Sequence, residues 1–150
     1  MRAVIQRVDN AVVEIGGKTH ASIGRGLLIL LGVEQTDSKD DANWLAGKIA
    51  RLRIFDDDYG VMNLSVVETQ GEILVVSQFT LHASTKKGNR PSYIRAAAPE
   101  HSIPLYEYFV QTLAGESGQQ VKTGVFGAMM HVSLVNNGPV TIIIDSQNKE

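Results

Sequence analysis

Two short polar stretches give this sequence its chemistry. The first, Ser77-Gln78-Phe79-Thr80, follows the apolar run Ile73-Leu74-Val75-Val76 directly. Hydroxyls, an amide and backbone N–H groups gathered at the end of a buried strand can face a developing oxyanion. Removing one donor from such a preorganised site costs roughly 2.7–4 kcal/mol of transition-state stabilisation. The same residues can equally end an ordinary strand, with their hydroxyls bonded to nearby backbone. The second stretch, Asn136-Asn137-Gly138-Pro139, stands between two strand-like segments and reads first as a turn. Proline has no N–H to give a central ladder, so it belongs at a strand start or edge. A fixed Gly-Pro tip would present two carbonyls rigidly, and such carbonyls could receive a substrate ammonium. The isomer of that bond is not readable from sequence.

Other candidates are weaker. His20, His82, His101 and His131 show no ligand spacing such as His-x-x-x-His, and no carboxylate pairs with them in a metal-binding pattern. They read as surface or structural histidines, with His82 exposed after the first polar stretch. Asp56-Asp57-Asp58-Tyr59-Gly60 lacks the spacing and the distal Glu of a calcium loop, and reads as a turn. There is no Gly-x-Ser-x-Gly elbow and no Walker phosphate loop. Gly124-Val125-Phe126-Gly127 has the Gly-x-x-Gly spacing of an RNA-binding module, but it lies between strands, so it too reads as a turn. Lys86-Lys87-Gly88-Asn89-Arg90 is either a solvated loop or a set of phosphate contacts on a nucleic acid.

Composition bounds the class. A chain of 150 residues fits one domain, 1–150, with a polar tail after about residue 145. A domain of that size buries roughly 70% of its unfolded surface, so stability needs neither a metal nor a disulfide. The absence of cysteine removes thiolate nucleophiles, thiolate metal sites and disulfides together. A net charge of −2 leaves any nucleic-acid contact to a local basic patch. The first residues are too polar for a signal peptide, and the longest apolar run, 27–31, is far short of a membrane span. A soluble cytoplasmic protein, with no cofactor and no membrane partner, is the expectation.

These stretches need elements to hold them. Residues 2–8 and 11–15 read as strands with a turn at Asp9-Asn10. Gly16-Gly17 makes a hairpin into 19–23, and 27–33 is apolar enough to be buried on both faces. The first third therefore reads as an antiparallel meander. Ser38, with Asp41 in the capping-box position, opens a helix ending near Ile54. A short strand over 63–67, the strand 72–76 and a long loop over 82–100 follow. Ser102 caps a second helix, with Pro104 in its first turn. Leu105, Tyr108, Phe109 and Leu113 form its buried stripe and Gly115 ends it. Strands at 119–123, 129–135 and 140–145 finish the chain. The fold class is α+β, a mostly antiparallel sheet or partial barrel with two main helices.

Taken together, Ser77-Gln78-Phe79-Thr80-Leu81 and Asn137-Gly138-Pro139-Val140-Thr141 resemble the D-aminoacyl-tRNA deacylase family, also called D-tyrosyl-tRNA deacylases. Met1-Arg2-Ala3-Val4-Ile5-Gln6-Arg7-Val8, Leu52-Arg53-Ile54-Phe55, Met62-Asn63-Leu64-Ser65, Arg90-Pro91-Ser92 and residues 123–130 look like family segments in the same order. The resemblance covers the chain to about Ile144. It implies a homodimer with active sites at the interface, and hydrolysis of the ester joining a D-amino acid to the terminal adenosine of tRNA. It further implies that Gly138-Pro139 is cis and enters the partner's pocket. There its carbonyls would hold the substrate ammonium and exclude an L side chain. Arg7 would lock that motif, while Phe126 and Met130 would line the region of the adenosine. Ser77, Gln78, Phe79 and Thr80 would be catalytic, and Lys86, Lys87 and Arg90 would be RNA contacts. Two positions depart from the family pattern: Asn137 stands where relatives often carry Asp, and Val61 where they often carry Lys.

The resemblance leaves the mechanism open. Thr80 as nucleophile would need an activating base, and none is evident beside it in sequence. The alternative uses the adenosine 2′-hydroxyl and a water, with the protein supplying positioning and oxyanion donors. Rival readings are a non-enzymatic RNA-binding protein using the 86–90 loop, and a small esterase or peptidase indifferent to tRNA.

Overall fold

β1 (Arg2–Ile15) runs unbroken through Asp9 and Asn10, where sequence predicts a turn. The computed structural model, which describes residues 1–150, gives the reason. β1 pairs antiparallel with both β2 (Lys18–Ile23) and β3 (Gly26–Gly32), and the register Ala11↔Ile23 continues as Val8↔Gly26. So β2 and β3 lie end to end along one edge of β1. The first third is a single long hairpin closed at Gly16-Gly17, not a meander; both glycines take positive φ, 59° and 74°. The other edge of β1 is filled by β8 (His131–Asp145). Asp9 and Asn10 are exposed; Asn10 pairs with Val135 of β8, Asp9 is passed over as a bulge, and the paired residues Val8 and Ala11 carry the strand through. The two strands predicted at 129–135 and 140–145 are therefore one, and the turn predicted between them is absent.

β6 (Glu72–Ser77) lies parallel to β3, and β7 (Val121–Thr123) lies parallel to β6. The sheet is thus not wholly antiparallel. Parallel neighbours need long crossovers, and α1 (Lys39–Ala50) and α2 (Pro99–Ser117) supply them. Gly26 permits the first parallel contact, because a Cβ there would come within 1.8 Å of the Glu72 carbonyl oxygen. The sheet curls towards a barrel. The Lys122 ammonium of β7 reaches the Ser22 carbonyl of β2 at 2.7 Å.

α1 begins with the expected capping box, the Ser38 N–H donating to the Asp41 carboxylate at 2.9 Å. It stops at Ala50 rather than near Ile54, since Ile54 and Phe55 enter the core as extended chain. Phe55 opens a small hairpin of β4 (Phe55–Asp56) and β5 (Met62–Leu64). The latter ends before 67 because the Ser65 N–H and hydroxyl both turn back to the Glu68 carboxylate, at 2.7 Å each.

α2 starts at Pro99, not at Ser102. Proline at the first position loses no hydrogen bond, whereas Ser102 is already inside and buried. Pro104 consequently sits within the helix, and the left-handed residue that ends it is Gly118, φ 66°, not Gly115. Its buried face carries Tyr106 in place of the expected Tyr108. The Tyr106 hydroxyl donates to the Val75 carbonyl at 3.0 Å, and burial pushes its phenol pKa up. Tyr108 instead donates to Asn43 at the surface, 2.9 Å. Both helices and the sheet share one core around Phe55, Phe109, Leu45, Ile49, Leu27 and Ile29.

Candidate active site

β6 is central, and Ile73, Leu74, Val75 and Val76 are all buried. Its polar end therefore has a fixed origin. The Gln78 N–H continues the ladder to the Leu31 carbonyl at 2.8 Å, after which Phe79–His82 wind into a 3₁₀ turn. Phe79 and Thr80 are the first residues of that turn, so the turn itself leaves their N–H groups unpaired. The Gln78 side-chain amide donates to the Thr80 hydroxyl. No histidine or carboxylate hydrogen-bonds to Thr80.

This end of β6 opens on a cavity of about 650 Å³. Ser77, Gln78 and Phe79 line it together with Phe126 and Met130, which the sequence places far away. Gly124 makes room for Met130, since a Cβ there would meet the Met130 sulfur at 2.5 Å. Phe126 is set edge-on against Tyr106, with centroids 5.7 Å apart. The cavity wall carries no carboxylate, imidazole, amine or guanidinium. Its polar groups are Ser77, Gln78, Ser102 and the Tyr93 phenol. Thr80 stands beside the wall rather than in it.

The second stretch is a bulge. Val8 pairs with Asn136 and Gln6 with Thr141, so residues 137–140 all stand opposite Arg7. The Gly138-Pro139 peptide is cis, and Gly138 has φ 136°. A Cβ on Gly138 would lie 2.9 Å from the Val140 nitrogen and 3.1 Å from Arg7 Nη2. Arg7, only 8% exposed, donates through Nε to the Asn137 carbonyl at 3.0 Å and through Nη2 to its side-chain oxygen at 3.2 Å. Its Nη1 reaches the Ile54 carbonyl at 2.8 Å and Asp56 at 3.2 Å. Asn137 in turn donates to Asp9 at 2.6 Å, and the Val140 N–H donates to the Asn136 side chain at 2.9 Å. No residue of the bulge lines the cavity of its own chain.

Lys86, Lys87 and Arg90 are exposed on a hairpin closed by reciprocal bonds between Ser84 and Ser92, 2.8 and 2.9 Å, and they lie outside the cavity. His82 is a correction: it is 1% exposed, and neither ring nitrogen has a hydrogen-bond partner. Its Nδ1 is 3.7 Å from Glu34 Oε2, while Arg95 Nε donates to Glu34 Oε1 at 2.6 Å. That hydrogen bond holds the Glu34 carboxyl below the usual range against the cost of its burial. His20, His101 and His131 are exposed as expected. Sequence reasoning missed Glu34, Arg95 and the cavity residues Tyr93, Ala96, Ala97 and Pro99. Apart from the length of the 82–100 loop, nothing in periodicity or motif marks them.

Comparison with known proteins places the chain in a family. A family model described as D-Tyr-tRNA(Tyr) deacylase matches residues 4–145. The chain belongs to the D-aminoacyl-tRNA deacylase family. Its likeness to the D-aminoacyl-tRNA deacylase of Bacteroides fragilis (strain YCH46) is 62% identity over 150 residues, covering 100% of both chains. Among solved structures, one named c-Myc DNA Unwinding Element Binding Protein superposes with a TM-score of 0.91 at 40% identity, covering 97% of this chain and 98% of that one. A probable eukaryotic D-amino acid tRNA deacylase shares the fold, with a TM-score of 0.82 at 17% identity over 95% of this chain and 97% of that one. Membership of the deacylase family makes this chain a hydrolase of the aminoacyl-tRNA ester bond.

Proposed function

We propose that this protein removes D-amino acids from tRNA and rejects the L-enantiomers by shape, as a cytoplasmic homodimer in which the Gly138-Pro139 tip of each subunit enters the other's cavity. The observation that carries the reading is a cavity holding Ser77, Gln78 and Phe79 but no carboxylate, imidazole or amine. A site so built has no obvious general base of its own. It suits a substrate that brings a hydroxyl beside the scissile ester. The adenosine 2′-hydroxyl and a water then do the bond-breaking, while N–H groups near Phe79 and Thr80 receive the oxyanion. Thr80 bonded to an amide rather than to a base supports this route over a threonine nucleophile.

Chirality follows from main-chain contacts. Two enantiomers share every functional group, so only geometry separates them. Carbonyls at the 138–139 tip fix the ammonium, each charge-assisted bond contributing about 1.5–3 kcal/mol. The ester fixes a second substituent of Cα, and one direction remains for the side chain. Side-chain identity then matters little. Glycine mischarged on a non-cognate tRNA has nothing to clash and is also a substrate. Arg7 holds the tip, Phe126 and Met130 receive the adenosine, and Lys86, Lys87 and Arg90 contact RNA. The dimer is supported by the tip's absence from its own cavity and by the second edge of β8, which no strand covers.

Release of amino acid from D- and L-charged tRNA, and from a free aminoacyl ester, tests the reading. The D-charged tRNA turns over and the L-charged one does not; equal rates would end the chirality argument. Thr80→Ala keeps substantial turnover, and tRNA ending in 2′-deoxyadenosine is a poor substrate. Near-total loss in Thr80→Ala with binding intact would install Thr80 as nucleophile. A second reading, DNA binding, has behind it the name of the 40% identical structure. It predicts retention of DNA in a binding assay without ester turnover.

A further inference from the structure

Between Glu72 and Glu100 the chain has no acidic residue, yet it carries Lys86, Lys87, Arg90 and Arg95, in a protein whose net charge is −2. Only Arg95 is neutralised, by Glu34. The other three side chains make no ion pair and stand on the tip of the Ser84–Ser92 hairpin, where Gly88 at φ 84° makes the bend. The arm is pinned at its root. Glu34 bridges to Ala96, the Ala97 N–H donates to the Val33 carbonyl at 2.9 Å, and the Glu34–Arg95 pair closes the base.

Directly after the hairpin come Tyr93 and Ile94, 39% and 85% exposed. Tyr93 meets Phe79 edge to face, centroids 5.1 Å apart at 72°, and both rings line the cavity. The chain therefore runs from unpaired cations, through an exposed aromatic and an exposed aliphatic side chain, into the pocket. Fully extended, four residues carry the tip about 13 Å beyond the Ser84–Ser92 bridge. A positive arm leading to a stacking surface is how proteins track an unpaired nucleic-acid strand. The charge selects a polyanion, and the exposed Tyr93 ring offers a face to a base, with Ile94 adding apolar contact beside it.

We propose that the 84–94 arm is the track for the unpaired nucleotides that precede the terminal adenosine, with Lys86, Lys87 and Arg90 on their phosphates and Tyr93 and Ile94 under their bases. This rests on the deacylase reading of the cavity and assigns the neighbouring surface. It makes tRNA recognition a property of the single strand, added outside the pocket that holds the aminoacyl-adenosine.

The test compares kcat/KM on D-aminoacyl-tRNA with kcat/KM on D-aminoacyl-adenosine, which lacks the preceding nucleotides. In the triple variant Lys86→Ala, Lys87→Ala, Arg90→Ala the ratio of the two falls on the order of ten-fold at low salt. The log–log salt slope of the tRNA reaction flattens by about 0.7 for each phosphate no longer neutralised. Tyr93→Ala lowers the ratio roughly 5- to 100-fold with the slope unchanged, because stacking releases no counterions, and Ile94→Ala, which removes apolar contact without a stacking ring, lowers it by less. An unaltered ratio and slope in the triple variant overturn the proposal. So does a change of oligomeric state in the Tyr93 and Ile94 variants with the ratio intact, which would make that face a subunit contact. If the unaltered protein hydrolyses neither substrate, the deacylase reading is what fails. Binding of uncharged tRNA, with its salt slope in the same variants, then still decides whether the arm holds RNA.

Discussion

Arg7 is the residue on which the second motif depends. Its guanidinium is nearly sealed from solvent and feeds four acceptors on two segments: Asn137 twice, and Ile54 with Asp56. A lysine keeps the charge but is a point donor that cannot span that fork. Arg7→Lys should therefore leave carbonyls unmet, lowering stability by about 1–3 kcal/mol. It should lower D-aminoacyl-tRNA turnover further than the loss of folded protein explains. Thermal melting beside single-turnover rates separates the two effects. At this scale the sequence is informative about residue types: Ser77–Thr80 can face an oxyanion and Gly138-Pro139 can present carbonyls, but each also reads as an ordinary strand end or turn, and the family resemblance is what joins them. It is silent on the burial of His82. That ring is enclosed because Gly32 leaves room for it, a Cβ there coming within 3.0 Å of the imidazole, and such room is tertiary information.

The elements explain what local reading does not supply. Periodicity finds both helices and nearly every strand, but it breaks β1 at Asp9-Asn10 and β8 at Asn136–Pro139. Both breaks are polar irregularities in the β1–β8 ladder, Asp9 bulging from one strand and 137–140 from the other. A run of turn-forming residues reads the same whether it reverses the chain or bulges from a ladder. The parallel pairs β3–β6 and β6–β7 are equally hidden, since strand direction is set by crossovers rather than composition. Glu34 shows such an element at work, joining the end of β3 to Arg95 at the root of the basic arm and facing His82 in the 3₁₀ turn. The Arg95 hydrogen bond lowers its folded pKa below the ordinary 4.5. Its contribution to stability is therefore present above that value and is lost as pH falls through the lowered one. Glu34→Gln lacks the contribution already at neutral pH. Its urea midpoint should start lower and fall less steeply as pH drops below the ordinary 4.5 than that of the unaltered protein. Parallel curves would show that Glu34 does not carry this linkage.

The whole molecule poses a question of coverage. β8 has a strand on one edge only, and Val135 and Ile143 along it are 49% and 69% exposed. A long apolar edge of this kind is an aggregation hazard unless something covers it. In the proposed dimer a second subunit does so, bringing its 138–139 tip to the facing cavity. The single substitution Ile143→Lys tests this. Being exposed, the position should tolerate the change in the isolated chain within about 0.5 kcal/mol. Light scattering should then report a monomer, and D-aminoacyl-tRNA hydrolysis should fall to background. A variant that is monomeric and fully active would remove the shared site.

The bulge opposite Arg7 also constrains how this sequence can drift. Beyond it, Val140, Ile142 and Ile144 pack inward while Ile143 faces out. Side chains alternate with every step along a strand, so a deletion that slid the pairing of residues 141–145 by one would turn Ile142 and Ile144 to water and Ile143 into the core. A deletion absorbed inside 137–140, where four residues stand opposite one, would keep those faces but shorten the bulge that carries Gly138-Pro139. In this corner substitutions can accumulate one at a time, whereas a change in length costs either the core or the tip.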